Sequence, residues 1–369
     1  MTRVKKRAPD FMLFITAMML ISIGIVMVFS SSSYYAMFPP FNNPFWFLIR
    51  QLINALVGIP IMVFMMKYDY WKLRRWAPML TAASVVLLLL VLTPLGTEVL
   101  GAKRWINLGF TSFQPSEFAK LSVVIFVAAS LSQKGAKIQS FKVGVLPYLI
   151  LIGVFAGLIL MEPDLGTAMT LAGTVFIMLF CAGARISTLA VTGIVGVGTV
   201  LAAIFSEEYR RQRFLAFLNP EGDPGGVGWQ ILNSLMSLGS GGLLGTGLGQ
   251  GRHSKFLYLP ERQTDFIFAV IGEELGFIGG CLVILLFALF VWRGFKIAIT
   301  SPDPFASLLA AGIVSGIALQ AAINIGMVTG SMPITGITLP FVSFGGTSLV
   351  FTLMGVGVLL NISRYITPK

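Results

Sequence analysis

The chain carries little charge. Charged residues make up 11% of its 369 residues and apolar ones 56%, against ~25% and ~45–50% in an ordinary soluble domain. That excludes a soluble globular enzyme and a disordered polypeptide. There is one histidine, His253, and there are two cysteines, Cys181 and Cys281, both in or at the end of apolar runs. A Cys/His zinc site and a disulfide framework are thereby excluded. A metal bound here needs oxygen ligands, which suits Mg²⁺ or Mn²⁺. Forty glycines without a Gly-X-Y period exclude collagen.

What is present is long apolar stretches. A hydrocarbon core of ~30 Å needs ~20 apolar residues per helix. Ten stretches qualify, at about 11–32, 47–66, 77–95, 115–132, 144–161, 165–183, 187–206, 266–292, 305–329 and 338–362. The expected fold is an all-α polytopic membrane protein, one transmembrane domain over 1–369, with about ten transmembrane helices. The first stretch is too long for the apolar part of a signal peptide and reads as an uncleaved helix.

The net charge is +11, and its distribution explains it. Arg3, Lys5, Lys6 and Arg7 precede the first stretch. Lys67, Lys72, Arg74 and Arg75 follow the second, and Lys134, Lys137 and Lys142 the fourth. Arg185, Arg293, Lys296, Arg364 and Lys369 fall on the same side, whereas the short loops opposite hold Lys103 and Arg104. Lys and Arg collect in cytoplasmic loops, so both termini of a multi-pass membrane protein are expected in the cytoplasm. The excess is an orientation signal and does not call for a nucleic acid partner.

One extracytoplasmic loop, 207–264 between helices 7 and 8, is much longer than the usual ~4–6 residues, and long loops are commonly functional. It mixes Arg210, Arg211 and Arg213 with Glu207, Glu208, Glu221 and Asp223. Seven glycines fall between Gly239 and Gly251. They lack the G-x-G-x-x-G spacing and the strand of a nucleotide fingerprint. Irregular backbone or a re-entrant hairpin at the membrane surface accounts for them, so the loop is expected to be partly structured.

Ionisable side chains at membrane depth are costly and raise functional hypotheses. Glu117 and Lys120 sit three apart on one helix and can pair. Asp164 and Asp265 precede apolar stretches, where each can be a helix cap or a site residue. Glu273 and Glu274 lie about two turns beyond Asp265 and point ~100° apart. The expected topology puts Lys103, Arg104, Asp164, Arg210, Arg213, Arg252, Lys255, Arg262 and Asp265 on one face. Arginines beside a carboxylate at a membrane surface suit a lipid diphosphate, because guanidinium binds phosphate oxygens in pairs and the carboxylate can act as a base or hold a divalent cation.

Four segments carry a resemblance: Tyr258-Leu-Pro-Glu-Arg-Gln-Thr-Asp265 through Gly276, Phe113-Gln-Pro-Ser-Glu117-Phe-Ala-Lys120, Glu162-Pro-Asp164-Leu-Gly-Thr167, and Gly336 through Ser348. In this order they resemble the SEDS family (shape, elongation, division and sporulation), most of all its FtsW/SpoVE branch. Phe344, where the family commonly has Tyr, and Ser331, where an aliphatic residue is usual, depart from the pattern. The resemblance implies a ten-helix peptidoglycan glycosyltransferase polymerising lipid II at the outer face of the bacterial cytoplasmic membrane. It implies work with a class B penicillin-binding protein and with other divisome or sporulation membrane proteins. It matches Asp265 to an essential aspartate, and Glu117, Lys120 and Asp164 to a central cavity.

The expected chemistry has Asp265 as general base. Lys103, Arg104, Arg210, Arg213 and Arg262 are the candidate cations for the leaving diphosphate, with Mg²⁺ or Mn²⁺ held by Asp265 or Asp164. An aspartate of ordinary low pKa suffices if proton transfer is late. A lipid II flippase or polyprenyl-lipid transporter is the alternative from composition, and a division scaffold without catalysis is a third reading.

Overall fold

The computed structural model describes residues 7–366 except 100, 108, 110, 111, 223–225 and 253–258. Arg3, Lys5, Lys6, Asp223, His253, Lys255, Tyr258 and Lys369, named above, lie outside the described residues. Each expected apolar stretch contains one long helix: α1 Phe11–Ser32, α2 Trp46–Lys67, α3 Tyr70–Leu92, α4 Pro115–Leu131, α5 Leu146–Met161, α6 Leu165–Cys181 and α7 Ile186–Phe205. After two helices of the long loop, α8 Glu208–Leu218 and α9 Val227–Ser240, come α10 Ile267–Thr300, α11 Pro304–Val328 and α12 Gly346–Ser363. Eight helical segments are long and apolar enough to cross a membrane, and α6 is a shorter apolar helix. This is a multi-pass membrane protein.

Three features differ from expectation. Residues 338–345 are not helical, and α12 starts at Gly346. Pro340 lacks an N–H, and Phe341 takes φ 66°, which a helix does not admit. The segment between α3 and α4 is a three-stranded antiparallel sheet, β1 Gly96–Val99, β2 Ala102–Asn107 and β3 Ser112–Phe113, in the order β1-β2-β3. β3 has two residues, and the six of β2, Ala-Lys-Arg-Trp-Ile-Asn, do not alternate between apolar and polar, so the pattern that marks a strand is missing from the sequence.

Third, α10 is broken at Gly276, where φ is 69° and ψ −169°. A break frees backbone groups that lipid cannot satisfy. The glycine-rich hairpin answers them. Thr246 and Gly247 N–H donate to the Glu273 and Glu274 carbonyls, while Phe277 and Ile278 N–H donate to Gly242 and Leu243. A Cβ at Gly245 would stand 2.1 Å from the Glu274 oxygen, and one at Gly276 would stand 2.3 Å from Gly245 N. Glycine is required on both sides because two backbones touch.

Successive spanning helices are antiparallel, so connections alternate between two ends. One end holds the sheet, α8, α9 and the starts of α4, α6, α10 and α12. There Arg104 donates to the 162–163 carbonyls, Thr347 to Ser112 and Arg213 to Ile334. The other end gathers the two chain ends. Arg293 pairs with Asp10, Tyr70 donates to Asp303 at 2.7 Å and Tyr365 to Asp69 at 2.6 Å.

Candidate active site

A cavity of about 550 Å³ opens at the sheet end, walled by β2, the starts of α4, α6 and α12, the α8 arginine face and segment 336–348. That volume is in the range of small-molecule sites, ~300–1,000 Å³. Asp265 lines it, and so do Asp164, Arg104, Arg213, Glu117 and Glu261.

Asp265 sits in a turn just before α10 and does not cap it; the N-cap is Phe266, without a side-chain bond. Asn324 of α11 fixes its backbone, donating to Asp265 O at 2.7 Å and to Ile337 O at 2.6 Å. This clamps the aspartate turn to the 336–345 segment. Gly336 takes φ 74°, the left-handed region that favours glycine, and it lies beside the site: a Cβ there would stand 3.5 Å from Asp265 Oδ2 and 3.9 Å from Arg213 Nη1. The carboxylate meets the cavity but is otherwise enclosed by protein. Desolvation, with Glu261 adding like charge, pushes it up to about 7, against the opposing pull of Arg213 and Arg104. It is therefore a stronger base than the ordinary aspartate expected from sequence.

Arg213 stacks over Tyr209 at 4.3 Å. Burial lowers its pKa, while Tyr209 and Asp265 oppose this. Its buried Nε has no hydrogen-bond partner among the described residues, so a donor is left for a ligand. Arg104 lies between the sheet and the 162–164 turn. Its Nε donates to Glu162 O at 3.0 Å, and its Nη1 stands 4.0 Å from Asp164 Oδ2.

Asp164 is a helix cap. Oδ1 accepts from Thr167 N at 3.0 Å and Oδ2 from Thr167 Oγ1 at 2.9 Å, an arrangement worth ~1 kcal/mol to α6. Beside it, Glu162 is fully buried, and its two oxygens lack partners among the described residues. Burial first, then the Asp164 charge, push it up to about 8 against Arg104. Glu117 and Lys120 pair at 2.9 Å. Lys120 also donates to Gln320 at 2.7 Å, and Gln320 donates to Thr338 O at 3.0 Å. Lys120 thus faces a smaller apolar pocket of about 70 Å³ that shares Glu117 and Gln320 with the main cavity.

Three expected cations are placed elsewhere. Arg210 donates to Ala203 O at 3.1 Å and Leu160 O at 3.2 Å, tying the ends of α7 and α5. Arg262 is 3% exposed; its Nε donates to Ser31 O at 2.8 Å and its guanidinium lies 5.3 Å from the Tyr35 ring. It secures the end of α1. Lys103 is exposed on β2, opposite Glu98 in the strand register. A long side chain can turn either way from its backbone, which is why clustering along the chain misplaced all three. Glu273 and Glu274 are buried away from the cavity, and Glu274 accepts from Ser30.

Residues the sequence reading missed are Arg50, Tyr209, Glu261, Gln320 and Asn324. Gln320 and Asn324 were findable: they are amides at i and i+4 on an apolar helix, and polar groups there need a partner.

No group of three His, Cys, Asp or Glu among the described residues could hold a metal by itself. Asp164 is engaged on both oxygens. Asp265 with Glu261, beside bound phosphate oxygens, is a donor set that fits Mg²⁺ or Mn²⁺ shared with a substrate and not a protein-only cage.

Comparison with known proteins gives the class. Residues 10–367 match the family model FtsW/RodA/SpoVE, described as cell cycle protein, and the chain belongs to this family. It is 48% identical over 362 residues to stage V sporulation protein E of Bacillus subtilis, covering 98% of each chain. It is 45% identical over 355 residues to a probable peptidoglycan glycosyltransferase FtsW of Trichlorobacter lovleyi, covering 96% of this chain and 93% of that one. A chain from a solved structure, described as structural coordination of polymerization and crosslinking by a peptidoglycan synthase complex, superposes with a TM-score of 0.80. It is 30% identical, over 97% of this chain and 98% of that one. These findings favour glycosyl transfer over the transporter alternative.

Proposed function

We infer that the chain is a peptidoglycan glycosyltransferase that polymerises lipid II, with Asp265 as general base. The observation that carries the assignment is a half-buried carboxylate, pushed up to about 7 by desolvation, that lines one cavity with Arg213 and Arg104. The 4-hydroxyl of an acceptor GlcNAc attacks the anomeric carbon of a donor MurNAc. Asp265 takes the hydroxyl proton, the new glycosidic bond forms, and the bond to undecaprenyl diphosphate breaks. A base matched to the working pH contributes ~10²–10⁴-fold. One carboxylate is enough for direct inversion, since a covalent sugar intermediate needs a second one ~5 Å away.

Arg213 and Arg104 face the charge that develops on the diphosphate, where preorganised cations act most strongly. Asn324 holds Asp265 in place, and Glu117–Lys120–Gln320 supports segment 336–345. A divalent cation, when bound, would be held by Asp265, Glu261 and the diphosphate and would supply charge neutralisation. The basic residues at the end holding the termini support a cytoplasmic location for that end and an extracytoplasmic cavity. The synthase-complex relative supports a class B penicillin-binding protein as partner, and the family supports other divisome or sporulation membrane proteins.

The test is polymerisation of purified lipid II. Asp265→Asn should fold and bind partner normally yet make no glycan strand; near-normal polymer would reject the base assignment. Movement of labelled lipid II between leaflets without polymer would instead support the flippase reading. Cell-wall synthesis unaffected by neutralising the cavity charges would support the scaffold reading.

A further inference from the structure

We propose that residues 227–248, α9 with the glycine hairpin, form a re-entrant element seated in the hydrocarbon of the leaflet at the sheet end, and that this leaflet thereby supports the Asp265 turn. No charged residue lies between Asp223 and Arg252, in a loop that is otherwise dense in charge. α9 is built inside out. Its buried side is Gly228, Ile231, Asn233, Ser234 and Ser237, mostly small or polar, whereas Trp229, Leu235 and Met236 are exposed. A helix lying on a protein in water shows the reverse. The hairpin continues this apolar surface with Leu243, Leu244 and Leu248, and Leu244 is 80% exposed.

Depth decides what covers that surface. Phe277 and Ile278 N–H donate to Gly242 and Leu243 O, so the hairpin tip stands level with the start of the long rod of α10. From Leu275 to Trp292 that helix has no charged residue. Arg293 follows, paired with Asp10 at the end that holds the termini. Trp favours the membrane boundary. With Trp292 at one boundary, Phe277 lies fifteen residues away, or about 22 Å at ~1.5 Å per residue. The hydrocarbon is ~30 Å thick, so its far boundary falls about 8 Å beyond Phe277. Leu243 and Leu244 are therefore inside it, level with Phe277 and Ile278, which are exposed side chains of a spanning helix. The backbone agrees. Lipid offers it no hydrogen bond, and the hairpin takes its bonds from protein: Gly245 N–H donates to Gly241 O, Thr246 to Glu273 O and Gly247 to Glu274 O.

The seat reaches Asp265 through two helices. Leu238 of α9 packs on Gly272, where a Cβ would stand 2.4 Å from it, in the short rod that Asp265 precedes. Ser234 donates to Val328 O at 2.7 Å, at the end of α11. That helix carries Asn324, the donor to Asp265 O. A change in the depth of α9 therefore acts on both supports of the aspartate.

The experiment places a nitroxide at Met236→Cys or Leu244→Cys, in the full chain carrying Cys181→Ser and Cys281→Ser, in phosphatidylcholine nanodiscs. It reads collision with oxygen, which enters lipid, and with a water-soluble nickel chelate. Ile284→Cys, exposed on α10, is the lipid reference, and Glu221→Cys, exposed just before α9, is the water reference. Oxygen contact should be high and nickel contact nearly lost at both sites, as at Ile284→Cys. Nickel contact equal to that at Glu221→Cys overturns the seat and leaves the surface for a protein partner. The second readout, lipid II polymerisation, rests on the glycosyltransfer reading. Exchanging dioleoyl for the thinner dimyristoleoyl phosphatidylcholine should lower kcat with KM nearly kept, by up to ~10²-fold, since ~1 Å at a catalytic group can cost that much. Leu243→Ser with Leu244→Ser, which loosens the seat, should flatten that dependence. A parent kcat indifferent to thickness overturns the link to Asp265. Lipid-type collisions on a chain that makes no polymer would sink glycosyl transfer and leave the seat standing.

Discussion

The two ends of the helix bundle are both rich in charge, yet they do opposite things with it. At the end holding the termini, each described acid has found a partner: Asp10 has Arg293 and the Leu13 N–H, Asp303 has Tyr70 and the Phe305 and Ala306 N–H groups, and Asp69 has Tyr365. At the sheet end, Asp265 and Arg213 line one cavity, and Arg213 Nε and both carboxylate oxygens of Glu162 have no hydrogen-bond partner among the described residues. Acids whose oxygens are paired hold helices together. Charge left incomplete beside a cavity is what a substrate can use.

The comparison breaks most sharply at Asp265. Asp265→Asn should cost ~10²-fold or more in lipid II polymerisation, whereas Asp10→Asn should leave the rate per folded molecule unchanged. Arg213→Gln comes next, lowering kcat by about 10²-fold, while Arg210→Gln, three residues away, should act on thermal stability and leave kcat intact. Gel analysis of glycan products with melting curves separates these outcomes.

Stability should move the other way. A carboxyl whose native pKa lies above its unfolded value binds its proton more tightly when folded, so its ionisation costs stability as pH rises from about 4 to about 7. The melting temperature of Asp265→Asn should therefore pull ahead of the parent across that window and stay ahead above it, by on the order of 4 kcal/mol at most. At the other end, Arg293→Met leaves Asp10 without its cation and should cost about 1–3 kcal/mol without altering kcat. An advantage of Asp265→Asn at pH 4 equal to that at pH 8 would contradict a raised native pKa.

The smallest effect concerns pH. Activity should rise with pH through a midpoint near 7 as Asp265 loses its proton. Glu261→Gln removes a like charge, so its midpoint should fall. Removing the Arg213 charge should raise it. A shift in the opposite sense for either variant would show that another group controls the profile.

The helices were legible because twenty apolar residues in a row have few alternatives. The sheet was not, since β3 has two residues and β1 four. Within the site, Asp265, Asp164, Glu117, Arg104 and Arg213 were named from sequence, and all line the cavity. What sequence could not supply was direction. Arg210 and Arg213 lie on nearly the same face of α8, yet one reaches the ends of α5 and α7 and the other the cavity. Arg50 reaches the cavity from the start of α2, a direction its place in the sequence does not show. Asp164 and Asp265 both admitted a capping role, and only the Thr167 bonds separate them.

The break at Gly276 divides α10 into two rods of unequal length, and the glycine hairpin is stitched to both sides of the gap. The short rod that follows Asp265 is therefore held to the long rod below through the hairpin as well as through the chain. Amide hydrogens of Thr246, Gly247, Phe277 and Ile278 should exchange with solvent deuterium as one unit, opening only when hairpin and rod part together.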